Sequence, residues 1–250
     1  MKRGLFVVIA LAFLSPPSWA QVSSGKITGA VLDESGGVLP GVSIVIRNLG
    51  TNTTREAVSN ERGQYEVAAL SPGRYQVEAE LAGFKRHQRG PITVQVNQET
   101  RVDLNLQLGA LEETIQVVGE GILVQTTTST VGNVVDQKQI VELPLSGRNF
   151  ADLGLLTPGV TTRGQSTNSG ATGSTFVVHG QRSDANNFQL DGVANVSLGG
   201  NTLQARPNVD AVQEFKIQTS NFSAEFGRNS GSVVTVVTKS GTNTLAGNAW

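Results

Sequence analysis

Apolar and polar residues alternate strictly over residues 74–81, with Tyr75, Val77, Ala79 and Leu81 on one side and Arg74, Gln76, Glu78 and Glu80 on the other. Residues 101–108 repeat the pattern, setting Val102, Leu104, Leu106 and Leu108 against Arg101, Asp103, Asn105 and Gln107. A period of two buries one face of a strand and wets the other, as antiparallel sheets do over a core. Val42, Ile44 and Ile46 mark a third such strand, and Ile92, Val94 and Val96 a fourth. Turn formers at 33–37, at 60–63 and at Ser71-Pro72-Gly73 punctuate them. This spacing predicts an antiparallel β-sandwich over residues 21–108.

The second half, residues 124–240, is patterned differently. Asp136 followed by Gln139 makes a capping box for a short helix that ends by Pro144, and Asn149 caps a second with Phe150, Leu153 and Leu156 on one side. Glu214-Phe215-Lys216-Ile217 and residues 232–238 read as strands, the latter so continuously apolar that it belongs at the centre of a sheet. Residues 164–174, rich in Gly, Ser, Thr and Asn, predict a mobile loop. Residues 176–193 read as strand, polar loop, strand: a hairpin-like unit with Gly180 where positive φ is expected and Asp191-Gly192 as a further turn. The whole is mainly β with some α, a sandwich followed by a mixed α+β domain. Between the halves, residues 109–123 form a linker, and Glu113, Thr114, Ile115, Gln116, Val117 and Val118 within it have the β-branched character of an extended strand. Such a strand is either a handle for a partner's sheet or the last strand of the sandwich running on.

Composition narrows the function classes. A net charge of −1 and no basic stripe argue against nucleic acid as a partner. With Cys 0 there are neither disulfides nor thiolate chemistry. Lys2 and Arg3, the apolar run Leu5 to Leu14, and Pro16-Pro17-Ser18-Trp19-Ala20 have the order of a secretory signal spanning residues 1–20. That run is far short of the roughly 20 residues a membrane-spanning helix needs. Of the two histidines, His87 stands in Lys85-Arg86-His87-Gln88-Arg89 and reads as a solvated basic turn, while His179 is expected to be structural. Neither has metal-ligand spacing to a second histidine, and no cofactor is implied. A hydrolytic triad through His179 and Asp191 has no nucleophile elbow to complete it. Arg182 and Asp191 make either a buried pair within the second domain or two loop residues in water.

Longer motifs carry a resemblance. His179-Gly180-Gln181-Arg182-Ser183-Asp184-Ala185-Asn186-Asn187-Phe188-Gln189-Leu190-Asp191-Gly192-Val193 resembles the centre of the plug domain of TonB-dependent outer-membrane receptors. So do Glu142 to Phe150, Leu156-Thr157-Pro158-Gly159-Val160, and Ala224-Glu225-Phe226-Gly227-Arg228 leading to Thr238-Lys239-Ser240-Gly241-Thr242-Asn243. Gly29-x-Val31-x-Asp33, Leu39-Pro40-Gly41-Val42, Gly63-x-Tyr65, Leu70-x-Pro72-Gly73-x-Tyr75 and Gly83-Phe84 resemble the carboxypeptidase-regulatory-like domain, a carbohydrate-binding-like, prealbumin-like sandwich. The order of the two is that of the Oar-like group. The resemblance implies that residues 113–118 are a TonB box gripped by a periplasmic energy transducer. It also implies that Gly180, Arg182, Asn187, Asp191, Gly192, Glu225, Gly227 and Arg228 are plug-motif residues, and that an outer-membrane β-barrel surrounds the plug. The transported ligand stays open, carbohydrate among the candidates. Residues 241–250 resemble the start of a first barrel strand, so a truncated or incomplete sequence is the expectation. The alternative is a stand-alone periplasmic carbohydrate-binding or interaction module; in the sandwich, Tyr65, Tyr75 and Phe84 are assigned to core packing rather than to a sugar platform.

Overall fold

The computed structural model describes residues 24–109, 114–117, 130–143, 145, 148–162, 176–197, 203–227 and 229–245. The export segment, the 164–174 loop, Glu113, Val118, Arg228 and residues 246–250 lie outside these. In chain order the first half gives β1 (Gly25–Asp33), β2 (Ser43–Asn48), β3 (Thr54–Val58), β4 (Gln64–Leu70), β5 (Gly73–Glu80), β6 (Arg86–Val94), β7 (Glu99–Arg101), β8 (Leu104–Leu106) and β9 (Thr114–Val117). They form two sheets. In one, β1 lies between β4 and β7, with β8 also on β1; the other runs β3-β2-β5-β6-β9. The inward halves of the alternating strands meet in one core: Ile44, Ile46, Tyr75, Val77, Ala79, Val94, Leu104 and Leu106 are all buried. Leu108 departs from the expected stripe and is exposed, held by a bridge to Phe84 where the chain leaves the sandwich.

The sandwich is mixed rather than wholly antiparallel. After β6 the chain crosses to the other sheet, so β7 and β8 join β1 in parallel, the geometry a crossover connection produces. Gly29 on β1 makes this crossing possible. A Cβ there would stand 1.9 Å from the carbonyl oxygen of Val102, which also accepts a 2.7 Å hydrogen bond from the Tyr65 hydroxyl. Tyr75 likewise donates through its hydroxyl, to the Ser71 carbonyl at 2.7 Å. Both tyrosines are therefore spent on the interior. His87, expected in a basic turn, instead lies buried on β6 with its Nδ1 unpartnered. Burial first, and neighbouring Arg89 second, lower its pKa and favour the neutral imidazole.

The second half gives β10 (Val131–Asp136), α1 (Gln137–Glu142), a 3-10 helix (Phe150–Leu156), β11 (Val160–Thr162), β12 (Phe176–Val178), β13 (Asn187–Leu190), β14 (Val193–Ala194), β15 (Val212–Ser220) and β16 (Val233–Thr238). The main sheet runs β10-β15-β16-β13-β14, which puts the apolar β16 at its centre as its composition requires. Asp136 Oδ1 accepts from the Gln139 amide at 2.9 Å and starts α1; Asn149 accepts from the Ala151 amide and starts the 3-10 helix. Phe150 and Leu153 enter the core, Phe150 meeting the Phe215 ring edge-on at 6.5 Å between centroids, whereas Leu156 at the helix end is exposed. Among the described residues no helix is long and apolar enough to cross a membrane, which says nothing of strands.

In the second half, too, a local expectation is overturned. β12 and β13 do not form a hairpin: β12 pairs with β11, while β13 runs parallel to β16. The polar residues between them carry a 3-10 turn over Ser183–Ala185 and take the chain from one sheet to another. The true hairpin is the next one. Asp191 and Gly192, at φ of +49° and +85°, join β13 to β14 as a two-residue turn whose twist matches the strands.

Candidate functional site

Three features bear on function: the strand between the domains, the surface where the domains meet, and the loops carrying the plug-like motif. β9 occupies residues 114–117 of the candidate partner segment. It is not a free strand. It lies parallel to β6, with Thr114 opposite Arg86, Ile115 opposite His87, Gln116 opposite Gln88 and Val117 opposite Arg89. β9 ends its sheet, so its outer edge has no neighbour among the described residues.

The domains meet on β15. Phe215 and Ile217 turn into the second core, while Glu214, Lys216 and Gln218 alternate with them and face the sandwich; hence both faces of this strand are buried. Glu214 Oε1 accepts from the Val96 amide at 2.8 Å. Lys216 Nζ donates to the Val96 and Asn97 carbonyls, both at 2.8 Å. The two side chains thus clasp the turn between β6 and β7. Gln213 donates to the Pro72 carbonyl at 2.9 Å, and Asn243 donates through its side chain to the Thr51 carbonyl at 3.0 Å. Desolvation raises Glu214 to about 7 against the opposing pull of the Val96 amide and Lys216, and desolvation lowers Lys216 to about 8 against the pull of Glu214. Sequence reading places these residues on a strand but misses the clasp. A Glu/Lys face alternating with Phe/Ile ordinarily faces water, and nothing local announces that a second domain covers it.

Of the plug-motif residues, Gly192 and Glu225 come together. With Lys26, Gln98 and Glu99 of the sandwich and Gln189 they line a cleft of about 490 Å³ between the domains, where Lys26 Nζ lies 3.0 Å from Glu99. Asp191 is exposed and clasps the end of β16, accepting from the Thr238 amide and hydroxyl at 2.8 Å each. Arg182 is exposed too and no ion pair joins it to Asp191, so the buried pair is not formed. A short polar turn on the surface gives neither charge a reason to leave water. Gly180 adopts φ +75°, and exposed His179 packs its ring against Gly159. Gly227 follows the 3-10 turn Ala224–Phe226, on which Glu225 is exposed.

Asn187 donates its amide to the Ser232 carbonyl at 2.8 Å, but the more deeply held residue is its neighbour. Asn186 is 1% exposed, accepts from the Ser232 hydroxyl at 2.9 Å and donates to the Ser183 carbonyl at 3.2 Å. Counting back by two from buried Phe188 puts Asn186 on the inward side, a signal present in the sequence.

Residues 26–107 match the carboxypeptidase regulatory-like domain family, and residues 124–234 match the TonB-dependent receptor plug domain family. Over 253 aligned residues the chain is 28% identical to the TonB-dependent transporter Oar of Myxococcus xanthus, taking in 97% of this chain and 23% of the transporter. The chain thus spans less than a quarter of the length of that curated relative. Among solved structures it is similar to the TIE protein of Bacillus anthracis (22% identity, 34% of this chain, 17% of that one, TM-score 0.30). It is also similar to a candidate carbohydrate-binding protein of Bacteroides uniformis (20% identity, 32% of this chain, 40% of that one, TM-score 0.29). Likenesses this partial bear on neither ligand nor activity.

Proposed function

The chain carries a carboxypeptidase regulatory-like domain followed by a TonB-dependent receptor plug domain, and on that premise we propose that it is the periplasmic gate of an energised outer-membrane uptake system. The plug domain sits within an outer-membrane β-barrel and closes it. A TonB-type transducer in the periplasm grips the segment between the domains by β-augmentation, and its pull displaces the plug so that a ligand passes. The observation that carries this reading is the order of the parts: the extended residues Thr114–Val117 stand between the two domains, where a pull reaches the plug directly. Neither matched family is catalytic. The reading as a stand-alone carbohydrate-binding module loses support from the sandwich's two tyrosines, whose rings are in the core and whose hydroxyls are bonded to backbone carbonyls.

Strand addition through this segment is testable with a peptide of residues 108–122 and the C-terminal domain of a TonB-type transducer. Ile115→Pro removes a backbone donor and fixes φ while keeping an apolar side chain, and it should weaken binding by about tenfold. Gln116→Thr keeps the backbone and should bind like the unmodified peptide. Equal binding by the proline peptide would exclude strand addition here.

A further inference from the structure

Resting on the reading just given, we propose that the sandwich regulates this handle: β6 and the transducer compete for the same backbone, and the pairing of β9 with β6 is an autoinhibitory contact. The sandwich has an edge shaped to hold the departing chain. Residues 83–85 take up residues 107–109 first, the Lys85 amide donating to the Gln107 carbonyl at 2.8 Å and the Gly109 amide to the Gly83 carbonyl at 3.1 Å. Residues 86–89 then take up residues 114–117 in parallel. The segment is thus held at its entrance and along its length by one continuous run of the sandwich.

Holding is weak by construction. β9 is 4 residues long, at the end of its sheet and paired in parallel, and short parallel edge pairings belong to the least stable part of a fold. It also conceals one of the two edges a partner's sheet could take. Alternate residues of a strand direct their amide and carbonyl groups to opposite edges, so while β9 stays on β6 only about half of its backbone groups face outward. A transducer sheet that takes the inner edge, the one spent on β6, gains its ladder only when the segment leaves β6. The apparent affinity of the whole chain is then reduced by the fraction of molecules whose segment is free.

Because the chain has Cys 0, a single engineered disulfide tests this cleanly. Gln88 and Gln116 are register partners on neighbouring strands, whose spacing of about 4.8 Å lies within disulfide reach. In the whole chain carrying Gln88→Cys and Gln116→Cys, binding of the transducer's C-terminal domain is measured oxidised and reduced, with the 108–122 peptide as reference. The peptide should bind roughly tenfold or more tighter than the wild-type chain; oxidation should abolish binding to the double variant, and reduction should restore it to the wild-type level. The reduced form of the same molecule is the control for folding. If the peptide binds and the oxidised chain binds as well as the reduced one, the transducer adds to the docked strand and autoinhibition is overturned while the gate reading stands. Failure of the disulfide to form under oxidant overturns the pairing itself. If the peptide does not bind, the gate reading falls and takes this inference with it.

Discussion

Alanine at Gly29 is expected to cost the sandwich more than about 4 kcal/mol, enough to leave that domain largely unfolded at physiological temperature. The added methyl would stand 1.9 Å from the carbonyl oxygen of Val102 and 2.7 Å from its carbonyl carbon. Both are backbone atoms, and they are pinned from three sides. The Val102 amide donates to the Thr28 carbonyl at 2.7 Å, its carbonyl accepts from Tyr65, and the Tyr65 ring would itself lie 2.9 Å from the new carbon. Relief requires β1 to part from the stretch that enters β8, which breaks the crossing between the two sheets. Thermal melting of the whole chain by circular dichroism reads the effect. Gly241→Ala is the control, since a Cβ there meets nothing within 4 Å, and it should melt with the wild type. A Gly29→Ala protein melting within a few degrees of wild type would contradict the packing at this crossing.

Lys216→Met should loosen the two domains by about 3 kcal/mol. It removes the donor to the Val96 and Asn97 carbonyls and leaves Glu214 buried without its counter-charge. Replacing both, Glu214→Leu with Lys216→Met, should recover most of that loss, because a buried pair exchanged for apolar groups of similar volume avoids the desolvation of two charges. The pH dependence has a definite sign. The folded pKa of Glu214 is raised to about 7 from 4.5, so the contribution of this group is fully present below 4.5 and is lost as pH rises toward 7. Lys216, lowered to about 8 from 10.5, contributes fully above 10.5 and loses that contribution as pH falls toward 8. The difference in stability between the wild type and Glu214→Gln, followed by denaturant unfolding from pH 4.5 to 7, isolates the first of these from other carboxylates. It should shift against the wild type as pH rises. A flat difference would mean that Glu214 is not buried in the clasp.

Much of the fold was legible because period-two alternation reports which face of a strand is inward. Tyr75, Val77, Ala79, Val102, Leu104 and Leu106 were assigned to the core on that ground, and are in it. Asp136 and Asn149 were legible as caps because an oxygen-bearing side chain before an apolar run has few other uses. What alternation does not report is the partner. The apolar run at 176–178 read as half of a hairpin with 188–190, yet β11 and β16 compete for those strands across the domain and win. His87 looked solvated because its neighbours are basic, but on a strand Arg86 faces the other way, and Arg89, two residues on, is held by the Asp103 carbonyl. Glu214 and Lys216 were illegible as a clasp, and Thr114–Val117, legible as either a partner's handle or the last strand of the sandwich, gave no sign of its neighbour β6, for one reason. Each is completed by residues more than twenty positions away, and no local pattern encodes that closeness.

The gate account rests on a transducer engaging the backbone between the domains, and amide hydrogen exchange of the whole chain, with and without the C-terminal domain of a TonB-type transducer, tests this most directly. The account predicts slowed exchange at residues 114–117 when the transducer is present; the autoinhibitory contact predicts in addition that exchange at residues 86–89 quickens as the strand leaves β6. Complex formation that leaves 114–117 unchanged and protects only surfaces of the sandwich or the plug domain would contradict it.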